Sequence, residues 1–332
     1  MKNKVVTLGE IMMRLSTPGF ARFTQADSFN VVYAGSEANV SVCLSSFGIP
    51  ATHVTRFPDN DFGKAATETL RRFGVDTSYI VYGGDRIGVY FLENGSMQRA
   101  SRIIYDRFDS AFAHIKPTMI NWDEVFQDVN WFHYTGITPA ISQGAADVCD
   151  QAIEAAKKKG ITISGDINYR RNLWQYGKSA REIMPSLISR TDLIVGGIAD
   201  FENCVGISDK DFTTTCKKVM AGYPNIKKIT HTHRESISSS HNKMIAYLWD
   251  GQQLLTSKEY DLTHIVDRVG TGDAYMGGLI YGWLTNKDDQ QTIEFAIASC
   301  ALKHSLEGDV NLVSVGEVDA LVKGENVGKL LR

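Results

Sequence analysis

The sequence predicts an α/β fold: a mostly parallel central sheet with helices on both faces, and a small second sheet beside it. Three observations carry this. Short apolar runs alternate with longer stretches of helical period along most of the 332 residues, the signature of βα units. Two stretches break that rhythm with extended, side-alternating patterns. The chain is 43% hydrophobic, enough for one large core with at most a small appended unit.

Taken in order, VVTLGE reads as the first strand and EANVSVCLSSFG as a helix, then ATHVTR as a strand and DFGKAATETLRRFG as a helix. WFHYTG is followed by the helical QGAADVCDQAIEAAKKKG, and ITISGDIN, DLIVGG and IKKITH read as further strands. Ligands of such sheets bind beyond the carboxyl ends of the strands, which here carry Glu10, Arg56, Gly136, Asp166, Asn168 and Arg170. The first exception, Gly88 to Arg107, alternates around Asn94-Gly95, a hairpin signal. The second, Met12 to Tyr33, is too extended for a βα unit. Together, residues of about 12–33 and 86–110 would form a lid inserted in one domain spanning 1–332.

Composition narrows the partners. Lys and Arg number 35 against 38 Asp and Glu, a net charge of −3, so no electrostatic footprint for nucleic acid or an anionic membrane is expected. The N-terminus meets Glu10 and Arg14 before any long apolar run, unlike a signal peptide, and no stretch of about 18 apolar residues suggests a membrane span. Five scattered cysteines without a CxxC pair read as free thiols of a cytoplasmic protein.

The most informative seven residues are DRVGTGD, Asp267 to Asp273, directly before the apolar run AYMGGLIYGWL. A glycine-rich turn opening a helix points backbone N–H groups at one spot, with the positive end of the helix dipole behind them. Glycine permits close approach of a phosphate, and Asp273 in the first turn is placed to accept a proton from an alcohol. An ordinary turn with Asp273 as a helix cap is the alternative these residues leave open. Other phosphate motifs fail: GxGxxG would need glycine where Tyr275 stands, and Gly177-Lys178-Ser179 has Asn172 where a P-loop has its leading glycine.

With these motifs in view, the chain resembles the ribokinase-like (PfkB) carbohydrate kinases, whose C-terminal hallmark is D-T-x-G-A-G-D. Their other signature, a glycine-rich stretch before a helix carrying Asn, is matched by Tyr33-Ala-Gly-Ser-Glu-Ala-Asn39. Within that family the stretches HYTGITPAIS, GDINYRRNLW and IIYDR resemble the 2-keto-3-deoxygluconate kinases. The resemblance covers essentially the whole chain and implies a ribokinase-like three-layer fold with a β-sheet lid, ATP and Mg2+ as cofactors, and transfer of phosphate to a sugar acid. It implies Asp273 as general base and the amides of Gly270, Thr271, Gly272 and Asp273 as anion hole. Gly35, Asn39, Tyr90, Tyr105, Ile137 and Asn168 would line the sugar pocket, with Arg107 and Arg170 gripping the carboxylate. A planar guanidinium fork matches a carboxylate, whereas a neutral hexose needs no such pair.

Besides Arg268 for Thr and Thr271 for Ala within that hallmark, the chain departs from the family in two further places. N-x-x-E becomes Gly197-Ile-Ala-Asp200, leaving Asp200 or Glu202 to hold magnesium through water. The glycine-containing nucleotide loop is replaced by THTHRESISSSHN, Thr230 to Asn242, read as a serine-rich loop in which Arg234 and Ser236 meet the nucleotide with Gly270 and Gly272. His231, His233 and His241 in that stretch raise the alternative of a zinc site. A lid of few strands leaves an apolar face, so a homo-oligomer pairing its lids is expected, with Phe91 and Ile103 at the contact. Rival functions are a kinase of fructose, ribose or 2-keto-3-deoxygalactonate, and a sugar-acid-binding regulator without catalysis.

Overall fold

Alternation along each central strand sorts side chains onto two opposite cores. Val6, Leu8, Phe132, Tyr134 and Ile163 face helices Gln143–Lys158 and Ala180–Ile188, while Val5, Trp131 and Leu193 face Thr271–Leu284 and Asp289–Lys303. Strands Val5–Leu8, Ala51–Val54 and Trp131–Thr135 are buried at every residue, as a parallel sheet covered on both faces requires. The structure is a computed structural model that describes residues 3–325.

The main sheet has nine strands. Six run parallel, in the order Lys228–Ser236, Leu193–Val195, Thr162–Asp166, Trp131–Thr135, Val5–Leu8 and Ala51–Val54. Asn242–Trp249 joins antiparallel at one edge, followed by Leu254–Thr256 and Tyr260–Leu262. The separate small sheet orders Asn30–Ala34, Met12–Ser16, Gly88–Glu93 and Arg102–Asp106, and its two central strands are parallel. The α/β fold expected from the sequence, a mostly parallel central sheet between helices, is therefore present, with the small sheet drawn from the two predicted segments.

Two local expectations are corrected. Asn94-Gly95 is not a tight two-residue turn: Glu93 pairs with Arg102, so residues 94–101 form a wide loop. That loop is wide because it reaches the tip of another hairpin, where the Ser239 amide donates to the Met97 carbonyl at 2.8 Å and the Ser239 hydroxyl to the Arg99 carbonyl at 2.6 Å. Residues 230–242 are not a loop either. Their ladder runs from Ile229 opposite Trp249 to Ser236 opposite Asn242, leaving 237–241 as the turn. The polar composition hid a ribbon that backbone hydrogen bonds hold where no core covers it.

Within the small sheet, pairing assigns the faces. Val31, Leu15, Phe91 and Ile104 lie opposite one another in one row, while Arg14, Tyr90 and Tyr105 form a row on the other face. Ile103 pairs with Leu92 on that second face and lines a cleft, so Ile104 takes the outward position expected of Ile103. All five cysteines are buried and unbridged, and no described helix is long and apolar enough to cross a membrane.

Candidate active site

Between the carboxyl ends of the parallel strands, the small sheet and the start of helix Thr271–Leu284 lies a cleft of about 700 Å³. Its lining includes Gly35, Asn39, Tyr90, Tyr105, Arg107, Ile137, Asn168, Arg170, Arg234 and Gly270 to Asp273. The fold thus gathers residues separated by up to most of the chain length. Ser236 does not line the cleft, and Ser239 takes its place. Of the strand-end residues, Glu10, Asn168 and Arg170 line it, whereas Arg56 is turned aside to the carbonyls of Ala111 and His114.

The helix begins where the sequence places its glycine turn. Gly270 is the cap, with φ 78°, a left-handed conformation that glycine adopts freely. The Asp309 carbonyl oxygen lies 1.7 Å from where a Cβ at Gly270 would stand, so no other residue fits. Gly272, by contrast, would place a Cβ in open space with nothing within 4 Å, leaving its backbone accessible from the cleft. An oxyanion or phosphate can therefore reach these amides and the helix dipole.

Asp273 is the third residue of that helix. Its Oδ1 accepts from the Ser36 hydroxyl at 2.5 Å and its Oδ2 from the Asn39 amide at 2.7 Å, both from the start of helix Ser36–Ser46. Burial pushes its pKa up from 3.8 to about 6 against the pull of those two hydrogen bonds. A carboxylate held in place, ionised at neutral pH and close to its titration point is suited to general-base work. Asn39 therefore orients Asp273 through its amide, while its Oδ1 is buried without a protein partner and remains to accept from a ligand hydroxyl.

The two arginines differ. Arg107 is buried, and its fork is held by Glu10, with Nε to Oε2 at 2.8 Å; the Ser110 hydroxyl occupies the other oxygen of Glu10. Arg170 is exposed at the cleft and makes no salt bridge among the described residues, although its charge reaches Asp166. Tyr90 is buried with its hydroxyl on Asp309, so it is a packing and anchoring residue as well as a wall; Tyr105, half exposed, stands 5.8 Å from it between ring centroids.

The expected metal residues are placed elsewhere. Both oxygens of Asp200 accept backbone N–H groups, from Gly197 at 2.9 Å and Tyr169 at 3.2 Å, capping helix Ile198–Val205. Glu202 is exposed on that helix, and neither residue lines the cleft. Asp166, which does not line the cleft either, lies within charge range of both Asp200 and Asp273: burial, then those charges, push its pKa up to about 8. Excess negative charge of this kind is relieved by a hydrated divalent cation that also binds phosphate oxygens, so the residues fit Mg2+ held through water. No group of three His, Cys, Asp or Glu among the described residues could hold a metal by itself. His231 stacks on Tyr247 and Phe212, and His241 pairs with Asp261 at 2.6 Å, which accounts for both without zinc.

Sequence reading missed Ser36, although it stands inside the quoted YAGSEAN stretch, and it missed Arg14 and Asp309, for which no local signal exists. Asp267 accepts the Val269 amide at 2.9 Å and the Arg14 guanidinium at 2.7 Å.

Similarity to known proteins agrees with this geometry. Residues 2–313 match the profile described as pfkB family carbohydrate kinase. The chain is 40% identical to the 2-dehydro-3-deoxygluconokinase of Thermotoga maritima, whose crystal structure superposes with a TM-score of 0.93, covering 97% of this chain and 100% of that one. It is 30% identical to the 2-dehydro-3-deoxygalactonokinase of Haloferax volcanii over 99% of both chains. It is 27% identical to the 2-dehydro-3-deoxygluconokinase of Thermoproteus tenax, over 96% of this chain and 94% of the relative. A glycine turn at a helix start, a carboxylate held over it and a sheet across the strand ends are thus parts of a sugar-phosphorylating enzyme, and the chain belongs to the pfkB family of carbohydrate kinases.

Proposed function

We propose that this kinase phosphorylates the primary hydroxyl of 2-keto-3-deoxy-D-gluconate with ATP, giving the 6-phosphate. The observation that carries the proposal is Asp273, held by Ser36 and Asn39 at the mouth of the Gly270 turn, in a cleft where Arg170 is exposed and makes no salt bridge among the described residues. The cleft orients the sugar acid, with Arg170 on its carboxylate and Asn39 Oδ1 accepting a hydroxyl. Asp273 takes the proton of the attacking hydroxyl, whose oxygen bonds to the γ-phosphorus as the bond to the bridging oxygen breaks and ADP leaves. The Gly270 to Asp273 amides meet the charge on the transferring group, and Arg234, which lines the same cleft, meets the nucleotide phosphates. Mg2+ held through water near Asp166 and Asp200 would supply neutralisation of the phosphate charge.

The deciding experiment compares ADP release with the gluconate and galactonate epimers, fructose and ribose. Preference for the galactonate epimer would favour the second reading, which the similarity to the Haloferax enzyme supports. In the same assay Arg170→Ala is expected to lower kcat/KM for the sugar acid by about 10- to 150-fold, the worth of charged hydrogen bonds of about 1.5–3 kcal/mol. Equal activity of the variant would remove Arg170 from the carboxylate site. Binding of the sugar acid without any ADP release would point to the regulator.

The pH dependence follows from the sign of the shift. Asp273 must be ionised to accept a proton, and its pKa lies near 6, so kcat/KM should rise with pH through about 6 and then level off. A flat profile across that region would exclude it as the base.

We also infer that two copies pair through the outer face of the small sheet, where Val31 and Ile104 are 53% and 55% exposed beside Leu15 and Phe91. Sedimentation should show wild type as a dimer or larger, and Ile104→Glu as a smaller species. A monomeric wild type at assay concentration would end this idea.

A further inference from the structure

The cleft is floored by a buried charge cluster that the phosphoryl-transfer steps above do not use. Arg14, on strand Met12–Ser16 of the small sheet, is 1% exposed. Its Nη2 donates to Asp267 Oδ2 at 2.7 Å and its Nη1 to Asp309 Oδ1. Tyr90, on the neighbouring strand of the same sheet, donates its hydroxyl to the other oxygen of Asp309. Asp267 in turn accepts the amides of Val269 at 2.9 Å and Gly308 at 3.1 Å. Lys303 is fully buried near both acids and donates to the Leu306 carbonyl at 3.1 Å, so two cations balance two carboxylates.

These contacts converge on one short piece of backbone. Asp267 holds the residue before Gly270, and the Asp309 carbonyl packs against the Gly270 Cα so closely that a Cβ would fall 1.7 Å from it. The orientation of the Gly270 to Asp273 amides is therefore set from below by two loops, 267–270 and 308–309. Both loops are clamped by side chains that belong to the small sheet. Taking one charge from such a cluster is costly, whereas its presence is not needed for stability, because apolar groups of similar volume fill buried sites as well. A role in positioning accounts for a buried arginine at this place.

We propose that Arg14 is a positioning residue for phosphoryl transfer: through Asp267 and Asp309 it couples the root of the small sheet to the anion-binding turn and holds the turn's amides in register. The inference rests on the reading that this turn receives the transferring phosphate. It assigns no contact between Arg14 and substrate. The small sheet thereby does two things, closing over the sugar with its outer part and aligning the phosphate site with its root.

The test separates positioning from folding. Arg14→Met leaves two carboxylates against one cation and should lower thermal stability. Arg14→Met combined with Asp309→Asn restores neutrality and should recover most of that stability. Positioning predicts that kcat of the double variant nevertheless stays at least about tenfold below wild type, while KM for the sugar acid moves less than about threefold. A kcat within about threefold of wild type overturns the proposal. Should the double variant not fold, Tyr90→Phe removes one hydroxyl from Asp309 and keeps every charge; it should lower kcat with little change in melting temperature, and an unchanged kcat again overturns the proposal. If wild type does not phosphorylate 2-keto-3-deoxygluconate, the substrate assignment fails but the coupling is still read by calorimetric binding of MgATP without sugar. About tenfold weaker binding in the double variant supports the coupling, and equal affinity overturns it.

Discussion

Asp273→Asn is expected to lower kcat by about 10²- to 10⁴-fold, the usual worth of a positioned base, with little change in nucleotide affinity. The substitution is nearly isosteric, and the Ser36 hydroxyl can turn from donor to acceptor, so the start of the helix should keep its shape. The same variant should be more stable. Asp273 has a folded pKa of about 6 against 3.8 ordinarily, so its favourable contribution exists below the unfolded value and is lost as pH rises through about 6. At neutral pH, holding it ionised costs the fold about 2 kcal/mol, after a discount for the water that reaches the cleft. Asp273→Asn should therefore melt higher than wild type at pH 7 and nearly level with it at pH 4. Loss of activity together with loss of stability would instead mark Asp273 as a structural cap.

Arg107→Ala is expected to destabilise the protein by about 3–5 kcal/mol, because Glu10, 4% exposed, would be left charged and unpaired. From sequence, Arg107 reads as half of a carboxylate clamp whose removal reports only on substrate binding. The structure makes its removal a change in the fold as well, since the Glu10–Arg107–Ser110 group joins the end of the first strand to the segment after the small sheet. Urea unfolding of Arg107→Ala and of the Glu10→Ala/Arg107→Ala double variant checks this. The double variant should recover much of the loss, and an undiminished stability of the single variant would show that Glu10 finds another partner. For the substrate carboxylate, Arg170 is the cleaner probe.

Much of the site was legible because its elements are local. A glycine turn before an apolar helix, an Asn three residues after Ser36, and arginines beside strand ends are patterns that backbone geometry imposes on neighbours in sequence. Where reading went astray, the deciding contact was distant. Asp200 reads as a metal residue alone, but it also accepts the amides of Gly197 and, from 31 residues away, Tyr169. The 230–242 stretch reads as a loop because its side chains are polar, yet its ladder with 242–249 depends on backbone groups that composition does not report. Ile103 and Ile104 are adjacent and similar, and only the register with Leu92 and Phe91 decides which of them faces the cleft.

By itself the sequence determined the alternating strands and helices of the main sheet, the extended segments of the small one, and the turn that opens the helix carrying Asp273. These depend on periodicity and on glycine, which act over a few residues. Only the tertiary structure decided which charges meet. Arg14 lies 253 residues from Asp267 and 295 from Asp309, and Glu10 lies 97 from Arg107. No local pattern encodes such pairs, because a buried charge takes whatever opposite charge the packing brings within reach, and its identity follows from topology rather than spacing.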